Sequence, residues 1–351
     1  MTRRAGRPLD PRSHEILRAI IEEYISTASP VGSHALVERR NLGVSPATVR
    51  NVMAELEDAG LLTHPHTSAG RVPTNAGYRL YVEAMAPETR LAPVEQLMIR
   101  HQFGQVALAS EQWFRLAAAI LAGATRNAGL ATPAKPRACR VRRIDLILNT
   151  SRMASLVLVL AEGAVKQNLI PLDAPVTQAV LDTVAQRLNS ELAGLSARQI
   201  VTRLEQLRAT ADAPALLVAA AERVERLMRD FDAASVEDVF SDGLLNVMAA
   251  PEFADSGKLR RVFGMLENRD YMGRLLDRVS SRPDVQVLIG GETGRREMED
   301  VSLVLAAYGL PGRAMGVVGV LGPTRMAYPQ AIGTVRYVSG LMNELVEQLY
   351  R

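Results

Sequence analysis

The stretch GVSPATVRNVMAELEDAGLL, from Gly43 to Leu62, carries the signals of a short, capped helix. Ser45 suits the N-cap, Pro46 suits the first turn, and Gly60 is a favourable residue for the end. Because a helix turns by about 100° per residue, its apolar and polar side chains fall on opposite sides. The predicted buried stripe is Val49, Val52, Met53 and Leu56. The predicted polar face is Ala47, Thr48, Asn51, Glu55 and Asp58, with Arg50 on its flank near the N-terminal end.

The polar face of this helix has the side chains that read base edges in duplex DNA. Arg50 can pair with guanine, Asn51 can pair with adenine, and the Thr48 methyl group can touch thymine. These residues lie in the N-terminal half, which a recognition helix directs into the major groove. The N–H groups at that end, with the hydroxyls of Ser45 and Thr48, suit a phosphate. A solvated polar face is the alternative, and the flanking elements favour DNA recognition.

The flanking sequence predicts a winged helix-turn-helix. Asp10 and Pro11 begin a first helix, Ser33 begins a second, and a strand is expected at Leu61–Thr63. The segment HPHTSAGRVPT (His64–Thr74) then predicts a turn-rich loop, after which the chain returns as a second strand. Three helices followed by strand, loop and strand is the winged-helix order.

The loop offers a second group of candidate DNA contacts. Gly70 permits a tight bend, and we expect Arg71 at the tip, where it would reach a backbone phosphate or the minor groove. An ordinary hairpin is the alternative interpretation. His64 and His66 lie close together in this loop, but no further ligands are evident near them, so we predict no metal site.

In the rest of the chain, strand patterns occur on both sides of a helical block. The predicted strands are 144–148, 155–160, 165–170, 284–291, 301–308 and 316–322. Tight turns join the first three strands, which indicates an antiparallel meander. The helical block has apolar stripes at 180–192 and 214–229. This order favours one α+β domain with an insertion, and two domains in series is the alternative.

The composition limits the compartment and the kind of partner. A chain of 351 residues predicts two or three domains, and its net charge of only +3 requires any DNA-binding charge to be local. The sole cysteine, Cys139, excludes an intrachain disulfide and fits a reducing cytoplasm. The N-terminus lacks the apolar region of a signal peptide, and no apolar run approaches the ~20 residues of a membrane helix. We therefore expect a cytoplasmic protein without a membrane partner.

Glycine-rich strings raise the possibility of an enzyme, but their spacing argues against it. Neither GGETG (Gly290–Gly294) nor GVVGVLGP (Gly316–Pro323) has the glycine spacing that cradles phosphates. No nucleophile–base pair and no metal-ligand constellation stands out. The sequence therefore predicts no catalytic residues, no cofactor and no metal.

Long strings near both ends and in the middle of the chain resemble the bacterial heat-inducible transcription repressor family, HrcA. They are LGVSPATVRNVMAELEDAGLLTHPHTSAGRVPTNAGYRLYV (Leu42–Val82), EDVFSDGLLNVMAAPEF (Glu237–Phe253), IGGE (Ile289–Glu292), SLVLAAYG (Ser302–Gly309) and GVVGVLGPTRMAYPQAI (Gly316–Ile332). The resemblance implies an α+β multidomain fold. Its expected parts are a winged helix-turn-helix domain (1–85), a linker helix (86–103), a discontinuous GAF-like α/β domain (104–172 and 264–351) and an inserted, mostly helical dimerisation domain (173–263).

The resemblance also implies a function. It implies a homodimer that represses chaperone operons by binding an inverted-repeat operator called CIRCE, with a chaperonin that maintains its activity. The matching DNA-binding positions are Ser45, Pro46, Thr48, Arg50 and Asn51 in the helix-turn-helix, and Thr67, Ser68, Gly70 and Arg71 in the wing. Two alternatives are a winged-helix regulator whose GAF-like domain senses a small molecule, and a pure interaction module. A cavity retained in the strand-rich domain would favour the sensor.

Overall fold

The computed structural model describes residues 9–65, 70–85, 89–106, 110–134, 139–161, 163–209, 214–234, 239–253, 256–266, 271, 275, 278–279, 284–310 and 314–349. The chain forms two compact units. The first unit comprises Met1–Ala134, Val239–Leu310 and Gly316–Arg351, and the second comprises Lys135–Asp238 and Pro311–Met315. Each unit has its own hydrophobic core.

Helices and strands both contribute to the described chain, as the sequence predicts. The helices are α1 (Pro11–Thr27), α2 (Ser33–Arg40), α3 (Pro46–Asp58), α4 (Asn75–Met85), α5 (Pro93–Gly104), α6 (Ser110–Thr125), α7 (Gln178–Leu192), α8 (Ala197–Ala209), α9 (Ala215–Ala234), α10 (Leu244–Met248), α11 (Ser256–Leu266) and α12 (Tyr328–Leu349). The strands are β1 (Leu62–Thr63), β2 (Val72–Pro73), β3 (Ala128–Ala131), β4 (Val141–Thr150), β5 (Met153–Leu160), β6 (Val165–Pro171), β7 (Phe240–Asp242), β8 (Gln286–Ile289), β9 (Val301–Leu310) and β10 (Ala314–Pro323). Short 3-10 turns lie at Pro251–Phe253, Gly290–Thr293 and Arg296–Met298. None of the described helices is long and apolar enough to cross a membrane.

The N-terminal part of the first unit has the predicted element order, with α1 to α3 followed by an antiparallel β1–β2 pair. Asp10 caps α1, because its Oδ1 accepts a hydrogen bond of 2.9 Å from the Ser13 N–H. The segment between α1 and α2 adds a further pairing to the β1–β2 ladder. Val31 forms an antiparallel bridge with Arg71, in which each backbone N–H donates to the other carbonyl at 2.9 Å.

A five-stranded sheet organises the rest of the first unit, with strand order β7-β3-β10-β9-β8. Strands β9 and β10 are buried over most of their length, and α12 packs on β9 through the predicted apolar stripe that includes Ile332, Val335 and Val338. The three predicted C-terminal strands are confirmed as β8, β9 and β10. The short strands β3 and β7 were not predicted, since AGLA and FSD carry no alternation that distinguishes them from loops.

The second unit is a three-stranded antiparallel sheet, β4-β5-β6, with α7, α8 and α9. The predicted meander is confirmed. Helix α7 lies along β4, where the Asn189 side chain accepts a 2.9 Å hydrogen bond from the Ile144 N–H and donates one of 2.6 Å to the Ile144 carbonyl. These bonds satisfy backbone groups that an edge strand would otherwise expose.

The domain boundaries differ from those expected from the sequence. The expected division placed the meander in one domain with 264–351 and began the insertion at 173, whereas the second unit includes all three meander strands. An alternating pattern predicts a strand but does not specify its pairing partner, so the sequence could not assign the meander to its own sheet. The apolar stripe at 180–192 is largely core, because Leu181, Val184 and Leu188 are buried in the second unit.

Candidate nucleic-acid interface

The start of α3 has the cap that the sequence predicts. Ser45 Oγ accepts a hydrogen bond of 3.1 Å from the Thr48 N–H, and Pro46 occupies the first helical position. The preceding turn contains two residues in the left-handed region, Asn41 at φ 45° and Gly43 at φ 64°. This conformation reverses the chain between α2 and α3 without extending either helix.

The two sides of α3 divide as predicted. The stripe residues Val49, Val52, Met53 and Leu56 are buried in the core of the first unit. On the other side Ser45, Arg50 and Asn51 are exposed, and Thr48 and Pro46 are half-buried. Within the part of the chain that the structure describes, neither the Arg50 guanidinium nor the Asn51 amide makes a side-chain hydrogen bond or ion pair. Their donors are therefore available to a ligand on that side.

Other basic residues of this region are engaged within the protein. Arg39 Nη1 lies 2.5 Å from Glu23 Oε1, and Arg40 Nη1 lies 2.8 Å from Glu22 Oε2. The Glu23 side chain is nearly buried, so its partners on α2 compensate its charge and join α2 to α1. These arginines build the scaffold under α3, in contrast to Arg50.

The loop after β1 is anchored at its return. Gly70 packs against the backbone of Val31, where a β-carbon would lie 2.5 Å from the Val31 carbonyl oxygen. The glycine is therefore required by this close approach rather than by a bend. The expected position of Arg71 at the loop tip is wrong, since Arg71 lies in the bridge to Val31 beside β2. The predicted contacts Thr67 and Ser68 lie outside the described residues.

A residue that the sequence did not single out, Glu57, connects this loop to α3. One carboxylate oxygen pairs with His64 Nδ1, and the other lies 2.7 Å from Arg71 Nε. The hydrogen bond with His64 lowers the pKa of Glu57, and the Arg71 charge lowers it further against the opposing effect of burial. On a helical wheel Glu57 lies about 80° from Val49, at the edge of the buried stripe. That position in the last turn of α3 is the signal that could have identified it.

The arrangement is suited to an anionic ligand rather than to a metal. Among the described residues, no group of three or more His, Cys, Asp or Glu side chains could hold a metal ion. His64 is engaged by Glu57. The exposed elements are the N-terminus of α3 and the Arg50 and Asn51 donors, which suit the phosphates and base edges of a nucleic acid.

Comparison with known proteins gives consistent relatives over almost the whole chain. A family model described as HrcA protein C terminal domain matches residues 111–332. A protein named heat-inducible transcription repressor HrcA from Herpetosiphon aurantiacus is 44% identical over 97% of this chain and 96% of its own length. Proteins of the same name are 42% identical in Roseiflexus castenholzii, over 97% and 96% of the two chains, and 36% identical in Geobacter sulfurreducens, over 97% and 98%.

A solved structure agrees with the overall fold. The crystal structure of a hypothetical protein at 2.2 Å resolution superposes with a TM-score of 0.62, at 24% identity and over 97% of this chain and 99% of that one. This likeness concerns the fold alone.

Proposed function

Because this chain belongs to the HrcA family of heat-inducible transcription repressors, we propose that its N-terminal part is a winged helix-turn-helix that binds operator DNA through α3. The observation that carries the proposal is the exposed polar face of α3, on which Arg50 and Asn51 have no side-chain partner in the described part of the chain. Arg50 and Asn51 read base edges, and Ser45 and Thr48 contact phosphate near the capped end. The loop, with Thr67, Ser68, Gly70 and Arg71, is the wing.

The operator is the CIRCE inverted repeat, bound by a homodimer. A two-fold axis relating two chains places two α3 helices on two half-sites, and this geometry matches a palindrome. The prediction of a transcription repressor rather than an enzyme is confirmed by the relatives at 34–44% identity.

The second unit is the dimerisation domain, and its sheet offers the surface. On the face opposite α7, the side chains of Ile147, Val165 and Leu169 are 50%, 61% and 51% exposed. Arg143 and Asp145 form an ion pair at the rim, with 3.0 Å between Arg143 Nε and Asp145 Oδ1. Exposed apolar side chains beside a charged pair on one sheet face fit the mixed composition of a protein interface, so the second copy covers this sheet.

The five-stranded sheet of the first unit belongs to the GAF-like domain, and this domain has a structural role and does not sense a ligand. Side chains such as Val304, Val318 and Val320 pack with α12 residues into one core. A cavity of about 730 Å³ opens between α5 and α6, and none of its described lining residues comes from a strand of the sheet. The alternative, a regulator that senses a small molecule in the GAF-like domain, is not favoured.

The mobility of operator DNA in a gel tests the proposed function. We expect the protein to bind the intact inverted repeat more tightly than a repeat whose arms are moved apart by about half a helical turn, roughly 5 base pairs. Binding should weaken steeply with salt, since phosphate contacts release counterions. Equal affinity for the operator and for random DNA of the same length contradicts the proposal.

A chaperonin maintains the active fold in this proposal. Adding chaperonin to the binding reaction should then increase the fraction of repressor that shifts the operator, and an excess of unfolded protein should reverse the increase. An active fraction that is the same with and without chaperonin contradicts the chaperonin part of the proposal, and it leaves the proposal of DNA binding unaffected.

A further inference from the structure

Two segments late in the chain, IGGE (Ile289–Glu292) and TRMAY (Thr324–Tyr328), contact the N-terminal helices within the first unit. Arg79 of α4 donates from Nε to Glu292 Oε1 at 2.9 Å, and its Nη2 donates to the Val287 carbonyl at 2.6 Å. Glu292 is itself fixed, because its Oε2 accepts a hydrogen bond of 3.0 Å from the Ile289 N–H. The Arg79 guanidinium thus joins α4 to the end of β8 through both a charge and a backbone acceptor.

A second contact lies at Arg325, between β10 and α12. Its Nε donates to Glu252 Oε1 at 2.5 Å, and its Nη1 donates to the Ile25 carbonyl in the last turns of α1 at 3.4 Å. The side chains of Arg325 and Glu252 are only 18% and 22% exposed. This pair therefore attaches α1 to the body of the first unit at a point separate from Arg79.

Helices α4 and α12 also meet through a buried aromatic pair. The rings of Tyr78 on α4 and Tyr328 on α12 are 5.8 Å apart, and both residues are buried. The Tyr328 hydroxyl lies 2.8 Å from Ser302 Oγ. Gly290 approaches α4 so closely, at φ 50°, that a β-carbon there would lie 2.4 Å from Asn75 Nδ2. Close-packed contacts of this kind permit few orientations of one element on another.

We propose that these contacts form an orientation lock, defined as the Arg79–Glu292 pair, the Arg325–Glu252 pair and the Tyr78–Tyr328 pair, which sets how α3 is presented for inverted-repeat binding. Helix α1 packs against both α3 and α4. Holding α1 and α4 in place on the sheet therefore also holds α3 in place. In a two-fold dimer, the direction of each α3 within its own first unit contributes to whether both half-sites can be contacted together. The lock therefore determines binding to the full repeat without touching DNA.

The proposal rests on the proposed function, and it makes a prediction that simple loss of stability does not. A partly exposed ion pair contributes little to folding, so variants of Arg79–Glu292 retain the fold. Each α3 keeps its own contacts with a half-site. Only binding to both half-sites at once depends on the orientation of α3. The extra affinity that comes from this bivalent binding is lost when the geometry prevents the second contact.

The experiment compares full-length Glu292→Gln, Glu292→Arg, Arg79→Glu and the double reversal Arg79→Glu/Glu292→Arg with the parent. Fluorescence anisotropy measures affinity for a single half-site duplex and for the complete inverted repeat, and thermal melting measures stability. Asp300→Asn is the matched control, because the Lys258–Asp300 pair has a similar separation of 2.7 Å and lies in the same unit.

We expect the charge-reversed single variants to bind the half-site like the parent and the complete repeat about 10- to 100-fold more weakly. The double reversal should recover most of that loss, and Asp300→Asn should change neither affinity. Parent-like binding of the complete repeat by all the Arg79 and Glu292 variants overturns the proposal, as does an equal loss on both duplexes with a lowered melting temperature. A parent protein that binds neither duplex overturns the proposed function and this inference with it.

Discussion

Arg71 on the return limb of the loop lies against Glu57 in the last turn of α3, with 2.7 Å between Arg71 Nε and Glu57 Oε2. The same carboxylate holds His64 on the outgoing limb. The base of the loop and α3 are therefore connected through one acidic side chain. A contact made by the loop and a contact made by α3 have a fixed separation, which is what a DNA backbone of regular spacing requires.

Replacing Glu57 with glutamine tests this connection. If the negative charge of Glu57 acted only by repelling DNA, its removal would strengthen binding. We expect the opposite, an operator affinity lower by about 1 kcal/mol, since His64 and Arg71 lose their charged anchor. Titration of operator DNA at fixed salt measures it, with Glu205→Gln, an exposed acid on α8, as the control. Tighter binding by Glu57→Gln shows that the contact does not position the loop.

Arg50→Ala should weaken specific operator binding by roughly 1–3 kcal/mol and relax the preference at one base position. The reason is that Arg50 is exposed beside the N-terminus of α3 with its guanidinium unengaged in the described structure. Competition with operators carrying single base changes measures both effects. Arg198→Ala removes an exposed arginine from α8 and should leave binding unchanged. Parent-like affinity of Arg50→Ala means that the reading face is assigned wrongly.

Leu169→Asp should convert the proposed dimer into monomers, because burying a carboxylate without a partner among the apolar side chains of this sheet face is costly. Light scattering measures the mass, and affinity for the complete repeat should fall with it. Val180→Asp is the matched control, since Val180 is similarly exposed, at 46%, but lies on α7. A dimer that survives Leu169→Asp and dissociates with Val180→Asp places the interface on the helices instead.

The stability contributed by the Arg79–Glu292 ion pair should be lost only at acidic pH. Burial raises the pKa of Glu292, but hydrogen bonds from Arg79 and the Ile289 N–H, with the nearby charge of Arg278, lower it below its usual value. A lowered folded-state pKa contributes stability that is complete above the unfolded value of about 4.3 and is lost as pH falls through the folded value. The difference in melting temperature between the parent and Glu292→Gln should stay constant from neutral pH to about pH 5 and shrink below about pH 4. A difference that already disappears near neutral pH contradicts this assignment.

Local patterns predicted α3 well because its determinants are local. The 3.6-residue period identified Val49, Val52, Met53 and Leu56 as core, and the residue type at Ser45 identified the cap. The exposed side chains at Arg50 and Asn51 followed from the same wheel.

Features that depend on distant partners were not predictable in this way. The position of Arg71 is set by its bridge to Val31, which precedes α2, and no property of the loop sequence identifies that partner. The role of Glu57 depends on two residues across the loop base. Strand β3 pairs with β7, which follows it in the chain only after Lys135–Asp238 of the second unit.

That last pairing has a consequence for how the molecule can be altered. Ala131 and Phe240 are partners in adjacent antiparallel strands, so the polypeptide leaves the first unit and re-enters it at neighbouring points. A short hairpin connection spans such a gap. On the proposed assignment of the second unit to dimerisation, replacing residues 135–238 with a tight turn should give a monomeric protein, and replacing them with another self-associating domain should give an assembly of different symmetry.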